Sequence, residues 1–175
     1  MHAQKLLAAI MMAASPAFAE AGLKIEEIPA LVRDTYDRIA PGLSIETVVT
    51  KDIAGRRVYA FEGRGNDGAR IVVDVLADGS FEKVEMETKS ETLPVAVRES
   101  IEKKYPVFDI VYAETLVGSD GAFTYRVLGQ AADGTGLAIK LAESGKLISA
   151  ENAIVADAGD TALAPSLTSF TQAQE

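Results

Sequence analysis

Apolar residues recur along this chain with two different periods, and each period predicts one type of secondary structure. Ile28, Val32, Tyr36 and Ile39 follow one another at intervals of three or four residues, which is the spacing of one helix face. Between positions 43 and 88 the apolar residues largely alternate with polar ones instead. Alternation gives a strand one apolar and one polar face, so this region predicts half-buried strands.

A helical pattern followed by strand patterns occurs twice in the chain. The stretch 28–33 returns at 93–98 with its proline, valine and arginine in the same places. Tyr59 returns further along as Tyr125, in the same order relative to the turn residues around it. Matches that keep their order in this way indicate an internal repeat, with a unit of about 65 residues.

Turn residues divide the strand region of each copy into four parts. Asp-Gly and Asn-Asp-Gly sequences between apolar runs are typical of hairpins, because glycine adopts the positive φ that such turns need. The predicted fold class is α+β, with two tandem repeats that each have an N-terminal helix packed on a four-stranded antiparallel β-meander. The predicted strands are 43–53, 57–63, 69–76 and 80–88 in the first copy, and 109–117, 122–130, 136–142 and 146–154 in the second.

The two ends of the chain differ in composition from the repeats. Residues 1–19 are typical of a secretory signal peptide, with a basic start, an apolar run too short to span a bilayer, and a small-x-small cleavage site. The last residues are rich in Ala, Thr and Ser without periodicity, which predicts a disordered tail. The predicted segments are a signal peptide at 1–19, repeats at 20–90 and 91–155, and a tail at 156–175.

Alternation also predicts which side chains of each sheet face the helix. In the first copy Ile71, Val73 and Val75 point one way, and we expect them to pack under the helix with Tyr59 and Phe61. The opposite face mixes apolar and charged residues, which is either an ordinary outer face, a surface covered by the other copy, or a partner-binding surface. The candidate partner-binding residues are Val58, Ala60, Val72, Asp74, Leu76, Arg126, Leu128 and Lys140.

Composition narrows the chemistry that the chain can perform. The sequence has no Cys, and its single His is His2, inside the predicted signal peptide. A mature chain without thiol or imidazole groups lacks the usual nucleophile, general base and zinc or haem ligands, so we expect no enzyme and no cofactor. The formal net charge of −9 opposes binding to nucleic acid or to an anionic membrane. We therefore expect neither nucleic acid as a partner nor membrane insertion of the mature chain.

The acidic turns leave an alternative function open. Asn66-Asp67-Gly68, Asp120-Gly121 and Asp133-Gly134 supply oxygen ligands, although none has the residue spacing of a calcium-binding loop. Hairpin turns explain all three sequences without a metal ion. The alternative is a cation- or small-ligand-responsive sensor of the cell envelope that uses these loops.

The ordered motifs of both copies resemble a known family. Leu93-Pro94 to Tyr105-Pro106, the aromatic-centred strand around Tyr125 and the closing strand with Glu151 are similar to PepSY and PepSY-like domains of secreted bacterial proteins. The resemblance covers about 28 to 154, although Ala40 stands in the first copy where this motif has tyrosine. Its tandem form is similar to the β-lactamase inhibitor protein fold.

This resemblance implies a function without catalysis. PepSY units also occur in the propeptides of thermolysin-like metallopeptidases, so the resemblance implies a module that binds or inhibits a protein or peptide partner, such as an envelope peptidase. The predicted signal peptide, without an acylatable Cys at its cleavage site, places the expected protein in the bacterial periplasm rather than on a lipid anchor.

Overall fold

A computed structural model describes residues 22–155 of the chain as two short helices and eight strands. Two single-turn 3-10 helices, Ile25–Glu27 and Ser90–Thr92, precede the two α-helices. The helices are α1 (Ala30–Ile39) and α2 (Val95–Lys104). The strands are β1 (Ser44–Ile53), β2 (Arg56–Arg64), β3 (Arg70–Leu76), β4 (Phe81–Glu87), β5 (Phe108–Gly118), β6 (Phe123–Ala131), β7 (Gly136–Ala142) and β8 (Leu147–Asn152).

Prolines determine where both helices begin and end. Pro29 and Pro94 are the N-cap residues of α1 and α2, at a helix end where the missing N–H of proline has no intrahelical partner to lose. Pro41 and Pro106 follow the C-cap residues and prevent either helix from continuing. Each helix therefore has 10 residues.

The predicted fold class is wrong in how it divides the sheet. All eight strands form one antiparallel sheet in the order β1 to β8, and the molecule is mostly β. β4 pairs directly with β5 over five positions, from Lys83 opposite Gly118 to Glu87 opposite Glu114. The chain is therefore not two units with separate four-stranded sheets.

The prediction missed the β4–β5 pairing for a physical reason. Hairpin signals identify strands that are joined by short turns, and every observed strand lies within two residues of a predicted one. β4 and β5 are separated by a 3-10 turn and α2, so no turn sequence marks them as neighbours. Pairing them satisfies the backbone N–H and C=O groups that each strand would otherwise leave at an edge.

Both helices pack on the same face of the sheet, where the core consists of two hydrophobic clusters. The cluster under α1 includes Tyr36 and Phe61, whose rings stack with centroids 4.3 Å apart. The cluster under α2 includes Ile101 and Val127. Ile71, Val73 and Val75 lie in or against the first cluster with Tyr59 and Phe61, which confirms the predicted inward face.

The predicted ends of the chain, 1–19 and 156–175, lie outside the described residues. The repeat boundaries at 20–90 and 91–155 stay predictions. Between residues 22 and 155, neither helix is long and apolar enough to cross a membrane.

Candidate functional site

The sheet face opposite α1 and α2, called the open face below, contains all eight predicted partner-binding residues. Cross-strand pairs point to the same side of a sheet, so the strand register shows which residues share this face. Ala60 pairs with Asp74 in the first half of the sheet, which is β1 to β4, and Arg126 pairs with Lys140 in the second half, which is β5 to β8. The row Val72, Glu85, Leu116 and Thr124 runs across β3 to β6 and joins the two halves.

Most of the predicted residues are buried even though they lie on the open face. Val58, Ala60, Val72, Asp74 and Leu128 are all buried. Longer side chains stand opposite some of them on the neighbouring strands, such as Lys51 opposite Val58 and Lys83 opposite Asp74. Of the eight residues, three remain half-buried and can touch a partner directly: Leu76, Arg126 and Lys140.

Asp74 is a fully buried carboxylate between two lysines. Its Oδ1 lies 3.5 Å from Lys51 Nζ and its Oδ2 lies 3.6 Å from Lys83 Nζ. Neither oxygen accepts a hydrogen bond from the described residues. Burial raises the pKa of Asp74 above its ordinary value, against the opposing effect of the two lysines. This carboxylate therefore has charge partners but incomplete hydrogen bonding.

Glu85 has the opposite electrostatic balance to Asp74. Its carboxylate forms an ion pair with Lys83, and the contact outweighs burial, so the pKa of Glu85 lies below its ordinary value. Burial alone would lower the pKa of Lys83, but Glu85 and Asp74 together raise it. Lys51, Asp74, Lys83 and Glu85 thus form one chain of alternating charge across β1, β3 and β4.

A second buried group of charges lies in the other half of the open face. Glu114 is 1% exposed, forms an ion pair with Arg126, and accepts a hydrogen bond from the Tyr112 hydroxyl at 3.1 Å. Burial and then the Glu114 charge raise the pKa of Tyr112 to about 12. Burial also raises the pKa of Glu114, although Arg126 acts against it. The Nε atom of Arg126 is buried and donates no hydrogen bond within the described residues.

Two concave regions lie beside these charges. A cavity of about 360 Å³ on the open face is lined by residues of β4 to β8: Lys83, Leu116, Arg126, Ala138, Ile139, Lys140, Ile148, Ser149 and Glu151. A second, more polar cleft of about 680 Å³ lies between the β2–β3 turn, the segment before α2 and the start of β5. The first cavity contains Arg126 and Lys140, two of the predicted partner-binding residues.

Sequence reasoning missed four charged residues and one tyrosine of the open face. Lys51, Lys83, Glu85, Glu114 and Tyr112 are absent from the predicted set, yet they surround the residues in it. The alternation of polar and apolar residues along β4 and β5 places Lys83, Glu85 and Glu114 on the outward face of their strands. Using it required the β4–β5 register, which no turn sequence indicates.

The aspartates of the acidic turns form hydrogen bonds with the backbone of the same turns. The carboxylates of Asp67, Asp120 and Asp133 each accept a hydrogen bond from the N–H two residues later, at 2.9 to 3.1 Å. This is the usual hairpin use of aspartate in turns. Within residues 22–155, no three Asp, Glu, His or Cys side chains lie together in a group that could hold a metal ion.

Comparison with known proteins identifies the fold but no family. No family model matches the sequence, and no curated protein matches it significantly. A BLIP-like protein of Bacteroides fragilis superposes with a TM-score of 0.56 at 16% identity, covering 75% of this chain and 90% of that one. A DUF2874 family protein of Bacteroides ovatus gives a TM-score of 0.60 at 14% identity, covering 71% and 87%.

A third similar structure is a Bacteroides eggerthii protein provisionally described as periplasmic. It has a TM-score of 0.59 and 12% identity, and the match covers 71% of this chain and 88% of that one. The chain therefore has the fold of BLIP-like and DUF2874 proteins, which supports the predicted similarity to the β-lactamase inhibitor protein fold. The names of these structures do not include PepSY, so membership of that family stays a prediction.

Proposed function

We propose that this chain is a non-catalytic periplasmic protein that binds a protein or peptide partner on its open face. Inhibition of an envelope peptidase is the most specific form of the proposal. The observation that carries it is the open face itself, where ion pairs lie beside a cavity on the side of the sheet away from both helices.

The size of the open face fits a protein partner. Eight strands spaced by about 4.8 Å span roughly 34 Å, and a seven-residue strand is roughly 23 Å long. The product is on the order of 800 Å², which is about what one partner contributes to a stable protein–protein interface. A small ligand would use only the cavity, whereas the charges extend from β1 to β7.

The arrangement of charges also favours recognition of a protein. Lys51, Lys83 and Arg126 are held by buried carboxylates rather than extending freely into solvent. Charged groups fixed in this way lose less side-chain entropy on binding than mobile surface lysines do. Alternating charges discriminate between partners, because a like charge placed against them is repelled.

The similar structures support the compartment and the type of function. The Bacteroides eggerthii protein is provisionally described as periplasmic, and the Bacteroides fragilis protein is named for its likeness to an inhibitor. The predicted signal peptide at 1–19 agrees with the same compartment. The absence of Cys, and of His outside the predicted signal peptide, removes the most common catalytic groups from the mature chain.

A pair of photo-crosslinking variants tests the proposal. A photoreactive phenylalanine analogue replaces Leu76 on the open face in one variant, and Leu31 on the exposed side of α1 in the control. We expect a discrete crosslinked protein in the periplasm of the source bacterium from position 76 only. The purified partner should then lose peptidase activity when the unmodified chain is added. Absence of a crosslink, or the same product from both positions, would contradict binding at the open face.

A further inference from the structure

The cavity between β4 and β8 differs from the rest of the open face in its charge. Lys83, Arg126 and Lys140 all line it, and Glu151, which is exposed, is the only acidic residue of the lining. Leu116, Ala138 and Ile148 supply apolar walls. A cavity with cations and low-dielectric walls strengthens the attraction of an anion that enters it.

The three cations of the cavity are not equally neutralised. Lys83 has ion-pair partners in Asp74 and Glu85, and Arg126 has one in Glu114. Lys140 has no ion-pair partner within the described residues, and its neighbour on β8 is the uncharged Ser149. The positive charge of Lys140 is therefore available to a molecule that binds in the cavity.

The position of Lys140 is unfavourable for the isolated chain. Lys140 stands directly opposite Arg126 on the neighbouring strand, on the same face. Like charges in directly opposed positions destabilise a sheet. Arg126 also keeps a buried Nε that finds no acceptor among the described residues. Both features would be relieved by one anionic oxygen pair placed between the two side chains.

We propose that this cavity binds the side-chain carboxylate of a glutamate or aspartate that the protein partner presents to the open face. Arg126 and Lys140 contact the carboxylate, and Leu116, Ala138 and Ile148 contact the methylene groups that carry it. A C-terminal carboxylate fits less well, because it brings a backbone amide that the apolar walls leave without a hydrogen bond. This inference rests on the proposed function and names the chemistry of the partner.

The overall negative charge of the chain does not prevent such binding. The formal net charge is −9, but charges beyond about 8 Å are largely screened at physiological ionic strength. Glu151, the one carboxylate of the lining, is exposed to solvent, and Glu85 and Glu114 are already paired with Lys83 and Arg126. The charges that line the cavity are therefore three cations, of which Lys140 has no ion-pair partner within the described residues, against one solvent-exposed carboxylate.

Nuclear magnetic resonance titration tests this inference without the partner. The probe is N-acetyl-glutamate N-methylamide, which carries only a side-chain carboxylate, and the matched neutral probe is N-acetyl-glutamine N-methylamide. We expect the charged probe to shift the backbone amides of Lys140, Ile148 and Ser149 in a saturable way at millimolar concentration. The neutral probe should leave these amides in place. Equal shifts from both probes would overturn the inference.

Matched lysine variants show whether the site depends on Lys140. Lys140→Met should weaken binding of the charged probe about tenfold, as expected for one charge-assisted contact. Lys103→Met, the same change on the exposed side of α2, should leave the affinity unchanged. Lys140→Arg keeps the charge and should keep binding, which separates loss of the site from loss of the fold. Equal weakening by Lys140→Met and Lys103→Met would contradict the site.

A third probe distinguishes the two sources of a carboxylate. N-acetyl-alanine carries only a C-terminal carboxylate, and we expect it to shift the same amides less than the glutamate probe does. A larger effect of N-acetyl-alanine would overturn the assignment to a side chain. The crosslink at position 76 tests the proposed function separately, because it does not depend on Lys140. A crosslink without glutamate binding would reject only this inference. Glutamate binding without a crosslink would reject the proposed function, and with it the assignment of the carboxylate to a protein partner.

Discussion

The two halves of the sheet match on one face and differ on the other. Under the helices the matching sheet positions are apolar in both halves, although the side chains differ, as Phe61 does from its counterpart Val127. On the open face the counterpart of the buried acid Asp74 is the base Lys140. The helix-covered face thus keeps one physical property in both halves, whereas this position of the open face carries opposite charges in the two halves. A face that only had to be solvated would not need an ordered change of this kind, which favours a binding role for the open face.

The largest effect is expected from truncating one core residue on the helix-covered face of each half, which compares the two hydrophobic clusters. Phe61 is fully buried and stacks on Tyr36, so Phe61→Ala should lower the free energy of unfolding by about 3 to 5 kcal/mol. Val127 is equally buried but loses only two carbon atoms, so Val127→Ala should cost about 2 kcal/mol. Urea unfolding of both variants measures the difference. Equal losses would show that the aromatic pair adds nothing to the first half.

The second comparison concerns the glycine that lets each helix approach the sheet. Gly79 and Gly145 both have positive φ, at 84° and 78°. A Cβ at Gly145 would lie 2.2 Å from the Ala96 carbonyl oxygen, whereas one at Gly79 would meet Leu31 Cβ at 3.0 Å. Gly79→Ala should therefore cost about 1 to 2 kcal/mol from backbone strain, and Gly145→Ala about 1 kcal/mol more because α2 must move. Thermal melts that rank the two variants in the opposite order would refute the closer packing of α2.

The residues of the helix-covered face could be predicted from the sequence, whereas those of the open face could be predicted only in part. Alternation and hairpin turns are local signals, so they identified the strands and the inward residues such as Val73. The pairing of β4 with β5 is not local, since α2 lies between them in the chain. Without that register, Glu85 and Glu114 could not be placed beside Lys83 and Arg126. For the same reason the prediction of two repeats, each with a four-stranded meander, left open whether the two meanders join.

The third comparison is between Asp74 and Lys140, the positions of opposite charge. Burial raises the pKa of Asp74, so the folded chain holds this proton more tightly than the unfolded chain does. Asp74 therefore contributes its full stabilisation of the folded chain below its ordinary pKa of 3.8. This contribution is lost as the pH rises through the higher pKa that Asp74 has in the folded chain. Asn cannot titrate, so the stability of Asp74→Asn relative to the parent should increase as pH rises through this window.

Urea unfolding at several pH values between acid and neutral measures that difference. Carboxylates far from position 74 contribute equally to the parent and the variant, so the comparison reports on Asp74 together with the charges it contacts, Lys51 and Lys83, and their partner Glu85. Lys140→Met, at the equivalent position of the second half, removes no carboxyl group and should run parallel to the parent over the same range. A constant difference between Asp74→Asn and the parent at every pH would contradict the raised pKa of Asp74.

The smallest expected effect concerns an exposed ion pair that only the first half has. Arg64 Nε lies 3.3 Å from Glu46 Oε1, and both side chains are half exposed. The corresponding positions of the second half are Gln130 and Val111, which cannot form an ion pair. Arg64→Gln gives the first half the residue of the second and should change the free energy of unfolding by less than about 1 kcal/mol, because solvent and salt screen exposed pairs. A loss that exceeds this value and persists in high salt would show that Arg64 stabilises the fold through another contact, such as its hydrogen bond to the Gly68 carbonyl oxygen at 3.0 Å, and that the halves differ in more than the buried charges of the open face.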